Sequence, residues 1–216
     1  MSYLSFQDQS SQAGGAAFQS LTDALDPAPE VISKQHFVEW FSGDTIDTIW
    51  NINNVTGTGS VAMLDEVDGG LRVTPGTTAF DATQIDLGGM QHYEETASVF
   101  IGVVRKQTGT TGRMFFGGVD ANYNNSHHVL AWFDTTGTLE IRTGTTEVNT
   151  TVTPGTDWIK VKLDLRSSSA LLIVNGVLEA VGTGTLPTQP QNPAFGRQFV
   201  AAGDVGDIKY CEAYNT

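Results

Sequence analysis

The stretch Asp157–Val181, DWIKVKLDLRSSSALLIVNGVLEAV, limits the folds open to this chain more than any other. From Trp158 onward, apolar Ile159, Val161, Leu163 and Leu165 alternate with Lys160, Lys162, Asp164 and Arg166. A period of two belongs to a strand with one face in a core and one in water, because successive side chains leave a strand on opposite sides. Ser167, Ser168 and Ser169 reverse the chain, and Ala170 to Val174 return as a more fully apolar strand. Asn175-Gly176 then supplies the two positive-φ positions of a type I′ hairpin, and Val177 to Val181 run back. Three successive antiparallel strands make the fold all-β.

The same pattern recurs through the chain. Strands are expected at 36–41 (HFVEWF), Asp47–Ile52 with Trp50, Ser60–Leu64, Gly69–Gly76, Phe80–Leu87 and Thr96–Arg105. Further strands are expected at Met114–Val119, His128–Asp134, Thr138–Thr143, Glu147–Val152, Gly196–Ala202 and the closing DIKYCEAYN. Gly-, Thr- and Asn-rich turns separate them, which argues for a sandwich over an α/β sheet. Thr96–Arg105 reads as a central strand buried on both faces, and Trp132 as a core residue. In the last strand, Ile208, Tyr210, Glu212 and Tyr214 alternate against Lys209, Cys211 and Ala213.

Two groups of residues carry a family likeness. Phe41, Gly43, Asp44 and Trp50, followed by Asp68-Gly69-Gly70-Leu71 and Val73, form the opening group; the Trp158 strand with its Asn175-Gly176 hairpin forms the late one. Together they resemble the concanavalin A-like (laminin G-like) β-sandwich over about residues 36 to 215. The resemblance implies a jelly-roll sandwich over 36–216 whose last strand lies near its first, with residues 1–35 emerging close to that seam. The alternative is any other antiparallel sandwich, since Asn-Gly hairpins are common.

Residues 1–35 differ in kind, with no Lys or Arg before Lys34. Ala17, Phe18, Leu21, Ala24 and Leu25 have helical spacing, and Pro27 and Pro29 end it. So short a helix needs something to pack on. One reading is an assembly arm with Phe18, Leu21 and Leu25 as apolar anchors; the other is a flexible tail or a plug for its own domain.

The charge balance narrows the function. The 216 residues carry 24 acidic and 11 basic side chains, a formal charge of −13. Such a surface repels phosphate backbones, so no nucleic-acid role is expected. No run approaches the ~18 apolar residues of a membrane span, no secretory signal is visible, and no cofactor motif appears. The single cysteine, Cys211, excludes an internal disulfide framework and reads as a core residue.

Several constellations bear on chemistry. The β-glucanase-type members of the resembled fold carry Glu-x-Asp-x-x-Glu on one strand, holding two carboxylates ~5 Å apart. Here Glu66-Val67-Asp68 runs into Gly69, Gly70 and Leu71, and Glu94-Glu95 points to opposite faces. The chain is therefore expected not to be an enzyme. His127-His128 likewise diverge on a strand and make a poor metal pair. Asp120 and Asp134 are the loop acids nearest to a calcium arrangement, and no metal is assigned. Tyr123 with Asn122, Asn124 and Asn125 has the ring-plus-amide chemistry of sugar recognition. The sequons at Asn54, Asn124 and Asn149 read as chance matches.

In style (acidic, rich in Gly and Thr, a leader before a lectin-like head) the chain also resembles tailed-phage virion proteins. That likeness implies a non-enzymatic capsid decoration or fibre protein of the virion. It would dock on the major capsid protein or neighbouring virion subunits as a homo-oligomer, expected to be a trimer. The alternative is a carbohydrate-binding, lectin-like module that takes a host-surface glycan.

Overall fold

The computed structural model of the chain describes residues 36–76, 78, 82–87, 93–107, 112–120, 128–198 and 205–216. In chain order its strands are β1 (His36–Trp40), β2 (Asn51–Thr56), β3 (Ser60–Met63), β4 (Leu71–Thr74), β5 (Ala82–Asp86), β6 (Ser98–Lys106) and β7 (Arg113–Val119). There follow β8 (Val129–Phe133), β9 (Leu139–Thr143), β10 (Thr146–Asn149), β11 (Ile159–Arg166), β12 (Ser169–Val174), β13 (Val177–Gly182), β14 (Asn192–Gln198) and β15 (Gly206–Asn215). No helix occurs among the described residues. The segment holding Phe18, Leu21 and Leu25 lies outside them.

All pairings are antiparallel and form two sheets. Sheet A runs β13-β12-β11-β6-β15-β4-β3, with β1 beside β15; sheet B runs β10-β9-β8-β7-β14-β5-β2. Their facing sides share one core. Sheet A contributes Leu71, Phe100, Val161, Leu163 and Leu172, and sheet B contributes Ile85, Met114, Phe116, Phe133, Ile141 and Phe195. The Asp157–Val181 stretch folds as its pattern requires: β11 pairs with β12 and β12 with β13. Asn175 and Gly176 adopt φ of 49° and 88°, the positive pair of the expected turn. Asn175 Oδ1 also accepts from the Lys160 amide at 2.9 Å, tying the hairpin to β11.

β15 joins the ends of the domain. It pairs with β6 from Gly206 to Asn215, while its other edge takes β4 at Gly206–Ile208 and β1 at Tyr210–Tyr214. The register shifts between Ile208 and Tyr210. This bulge corrects the simple alternation expected of DIKYCEAYN. One extra residue lets Ile208 enter the core with Cys211 and Ala213, whereas Tyr210, Glu212 and Tyr214 turn outward. Cys211 is buried, and burial first of all pushes its thiol well above the usual range.

Several strand boundaries also differ from expectation, two of them for a visible reason. Trp50 precedes β2 instead of lying within a strand. Asp47 forms the turn before it, accepting from the Ile49 amide at 3.1 Å on Oδ1 and from the Trp50 amide on its carbonyl. Trp50 then packs against Phe37 and Phe41, with ring centroids 5.6 and 5.2 Å away. β14 begins at Asn192, four residues before the expected start. Pro193 hides that start in the sequence. It pairs with β7 alone, before β5 joins at Ala194, so its missing N–H interrupts no ladder on the second side.

A charge cluster fixes β15 between β4 and β6. Asp207, fully buried, accepts from Arg72 at 2.8 and 3.0 Å and from Arg105 at 2.8 Å. Arg105 also pairs with Glu66 and lies 4.2 Å from the Trp158 ring centroid. Replacing Asp207 with Ala leaves two guanidiniums facing a buried gap. A loss of about 3–5 kcal/mol in urea unfolding is expected, and a loss within error would show that the clamp carries no stability.

Candidate functional site

Sheet B has two faces, and only one is used by the inter-sheet core. On β8 the core takes Val129, Ala131 and Phe133, which leaves Leu130 and Trp132 on the opposite side. The expectation that Trp132 is a core residue is thereby corrected. Alternation in sequence shows that a strand has two faces but not which face the other sheet covers.

Strand register builds that outward face. Gln84, Gly196, Phe115, Trp132 and Glu140 lie in one row across β5, β14, β7, β8 and β9. Asp86, Ala194, Gly117, Leu130 and Arg142 form the next row. In the first row, the Phe115 and Trp132 rings are nearly parallel, at 13° with centroids 6.0 Å apart. Gly196 makes room for this. A Cβ there would lie 2.4 Å from Phe115 Cζ, so the ring lies across a position with no side chain. Both rings are half-buried, and Val119, Leu130 and Ala194 form a small apolar cluster with them.

Charges surround the rings. The guanidinium carbons of Arg142 and Arg113 lie 4.9 and 5.9 Å from the Trp132 centroid. Arg142 also pairs with Glu147 at 3.5 Å. Glu140, opposite Trp132, is 5% exposed. Burial pushes its carboxyl up to about 7, reinforced by Glu147 and Asp134 and opposed by Arg142 and Arg113. His128, at the head of β8, is pushed down to about 4, first by burial and then by Arg142, with Gly144 and Asp120 acting the other way.

Three polar groups of this face have no hydrogen-bond partner among the described residues: Gln84 Nε2, His128 Nε2 and Asn192 Oδ1. A buried polar atom left so costs roughly 1–3 kcal/mol.

The residues singled out in the sequence distribute unevenly. Asn122, Tyr123, Asn124 and Asn125 lie outside the described residues, as does His127. Their connection leaves sheet B at Asp120 and re-enters it at His128. Asp134 is occupied by its own turn, where it accepts from the Thr136 amide at 2.8 Å, the Thr138 amide at 2.9 Å and the Thr136 hydroxyl. Among the described residues, no group of three or more His, Cys, Asp or Glu is placed to hold a metal ion. Glu66 belongs to the Asp207 cluster on sheet A, away from the aromatic row. Phe115, Trp132, Glu140, Arg113 and Arg142 went unrecognised because they lie on three strands, and only the pairing brings them together.

No protein-family model matches the chain, and no curated protein matches it in sequence. Solved structures do match it in shape. A sialidase superposes with a TM-score of 0.64 at 13% identity, over 84% of this chain and 18% of the sialidase, so this chain spans under a fifth of that enzyme. The β-glucanase of Bacillus licheniformis gives 0.58 at 11% identity, over 84% of this chain and 98% of the enzyme. The exoplasmic/lumenal domain of VIP36, in its form bound to Ca2+ and Man3GlcNAc, gives 0.56 at 10% identity over 80% and 85%. At such identities the likeness shows the fold: a concanavalin A-like jelly-roll sandwich. The likeness in style to tailed-phage proteins has no counterpart in these structures.

The expectation that the chain is not an enzyme does not stand. The glucanase shares this sandwich over nearly its whole length, and the sialidase shares it over a fifth of its chain or less. The missing Glu-x-Asp-x-x-Glu excludes carboxylates grouped on one strand only. Here Glu140 and Glu147 come from adjacent strands, and Asp134 from the turn after β8, which a single-strand motif does not detect.

The two shifted groups act oppositely on stability. Glu140 holds its proton up to about 7 when folded, against 4.5 for the unfolded group, so rising pH destabilises the fold through that window. His128 gives up its proton down to about 4, against 6.5, so rising pH stabilises the fold between those values. In Glu140→Gln the first effect is gone. Urea midpoints at about pH 5 and pH 8 should then shift further toward stability at the higher pH than in the wild type. An identical pH response in both proteins would show that Glu140 titrates as an ordinary carboxyl.

Proposed function

We propose that the protein is a carbohydrate-binding domain whose sugar rests on the outward face of sheet B. The observation that carries this reading is the Phe115–Trp132 pair, half-buried, near-parallel and outside the core. Aromatic rings outside the inter-sheet core on a sheet face offer a flat apolar surface to the C–H side of a pyranose. Arg113 and Arg142 stand beside that surface as donors for sugar oxygens. Glu140 carries its proton through the lower half of the neutral range, and so adds a donor below about 7 and an acceptor above it. The sugar-bound form of VIP36 supports the reading at the level of the fold.

The opposite sheet also displays aromatics, held like Trp132 by cations and by a neighbouring ring. Trp158 is flanked by Arg105 at 4.2 Å and Lys209 at 4.9 Å, and Trp40 leans on Tyr210 at 4.4 Å. Among the described residues, the orphaned Gln84, His128 and Asn192 lie on the outward face of sheet B instead. Capsid docking through Phe18, Leu21 and Leu25 has no part in this reading.

The test is a glycan array followed by Trp132→Ala. The variant should bind the best glycan at least tenfold more weakly, a loss of about 1.4 kcal/mol. Its urea midpoint should move little, because the ring lies outside the core. Undiminished binding by a folded variant would remove sheet B from the account. Reducing ends released from the same glycans would show whether a seated chain is also cut.

A further inference from the structure

We infer that His128 and Asn192 form a second subsite on this face, which hydrogen-bonds the hydroxyls of a sugar unit beyond the one on Trp132, so that the ligand is an oligosaccharide. The inference rests on the proposed binding reading and deepens it.

The first observation is the pair of orphaned atoms. His128 is 5% and Asn192 2% exposed, yet His128 Nε2 and Asn192 Oδ1 have no partner among the described residues. Groups so buried are almost always satisfied by something, and here no described residue supplies a partner. Both flank the same strand. Asn192 sits opposite Val119 of β7, and His128 heads β8 on the other side of β7.

The second observation is where they sit. His128 precedes Trp132 by four residues on the same face, about 13 Å along an extended strand. A single pyranose seated on Trp132 does not reach that far. The floor between the two points is Leu130, Val119 and Ala194, an apolar strip that suits the C–H faces of a sugar chain.

The chemistry of the niche selects its partner. Asn192 Oδ1 accepts, and His128 Nε2 accepts or donates according to its tautomer. Arg142 and, less strongly, Asp120 lie within electrostatic reach of His128, and the adjoining row holds Arg142 opposite Leu130 and Asp86 opposite Ala194. An orphaned amide oxygen beside an imidazole nitrogen that can accept takes groups that donate. Sugar hydroxyls do so, and so does water. The two sources differ in what the niche contributes to affinity.

The experiment uses the full chain and the best-bound glycan of the array, with mono-, di- and trisaccharide fragments competing against it. For the wild type, the trisaccharide should inhibit at least tenfold better than the monosaccharide. Asn192→Leu, an apolar replacement of similar size, should erase that gain, keep monosaccharide inhibition and leave the urea midpoint unchanged or higher. His128→Gln, read the same way, stands in if Asn192→Leu does not fold. Equal inhibition by mono- and trisaccharide in the wild type overturns the inference. So does a full length gain in both variants, which would mean that the niche holds solvent only. An array with no bound glycan defeats the binding reading itself, whereas binding without length dependence defeats this inference alone.

Discussion

The domain is organised around β15. One strand closes sheet A by pairing with β6 on one side and with β4 and β1 on the other, and a bulge turns its two halves to suit different neighbours. Asp207 holds the first half through Arg72 and Arg105. Tyr210, Glu212 and His36 link the second half to β1, with Tyr210 and His36 both bonded to Glu212 at 2.6 and 3.0 Å. A buried carboxylate shared by two guanidiniums gains little over an apolar contact of the same shape, but removing one partner is costly. The arrangement thus specifies register more than it adds stability. Once sheet A is in register, its inward residues define the surface on which sheet B must close.

Sheet B meets that surface with alternate residues only. Its outward residues lie outside that core, where Val119, Leu130 and Ala194 form a smaller cluster and side chains unsuited to a core gather around them. Phe115 and Trp132 lie together because Gly196 leaves a gap for the ring of Phe115. Glu140, His128, Gln84 and Asn192 are buried polar groups that the fold alone does not require. Local rules are broken most often where a protein acts. Several broken rules meet on one face of one sheet, and a sugar's mixed apolar and hydroxyl surface answers both kinds.

Local pattern and register were not equally legible in the sequence. The Trp158 strand and its Asn175-Gly176 hairpin stand as expected, because alternation and turn chemistry are properties of neighbouring residues. Strand existence followed almost throughout for the same reason. Which face of β8 meets the core was not legible, and Trp132 was therefore assigned to the wrong side. The bulge at Ile208 to Tyr210 was hidden because strict alternation is the simplest pattern consistent with the text. The site escaped altogether. Its members sit at positions 84, 115, 132, 140 and 196, and only the ladders of β5, β14, β7, β8 and β9 make them neighbours. A search for chemistry along one strand finds Glu66 and Asp68 and misses Glu140.

The most direct measurement is the set of backbone amide shifts in the labelled protein as a bound glycan is titrated in. Binding on the outward face of sheet B moves amides of β7, β8, β9 and β14, centred on Phe115, Trp132 and Glu140, and leaves β1, β11 and β15 still. Shifts confined to the Trp40, Tyr210 and Trp158 region of sheet A would contradict the account.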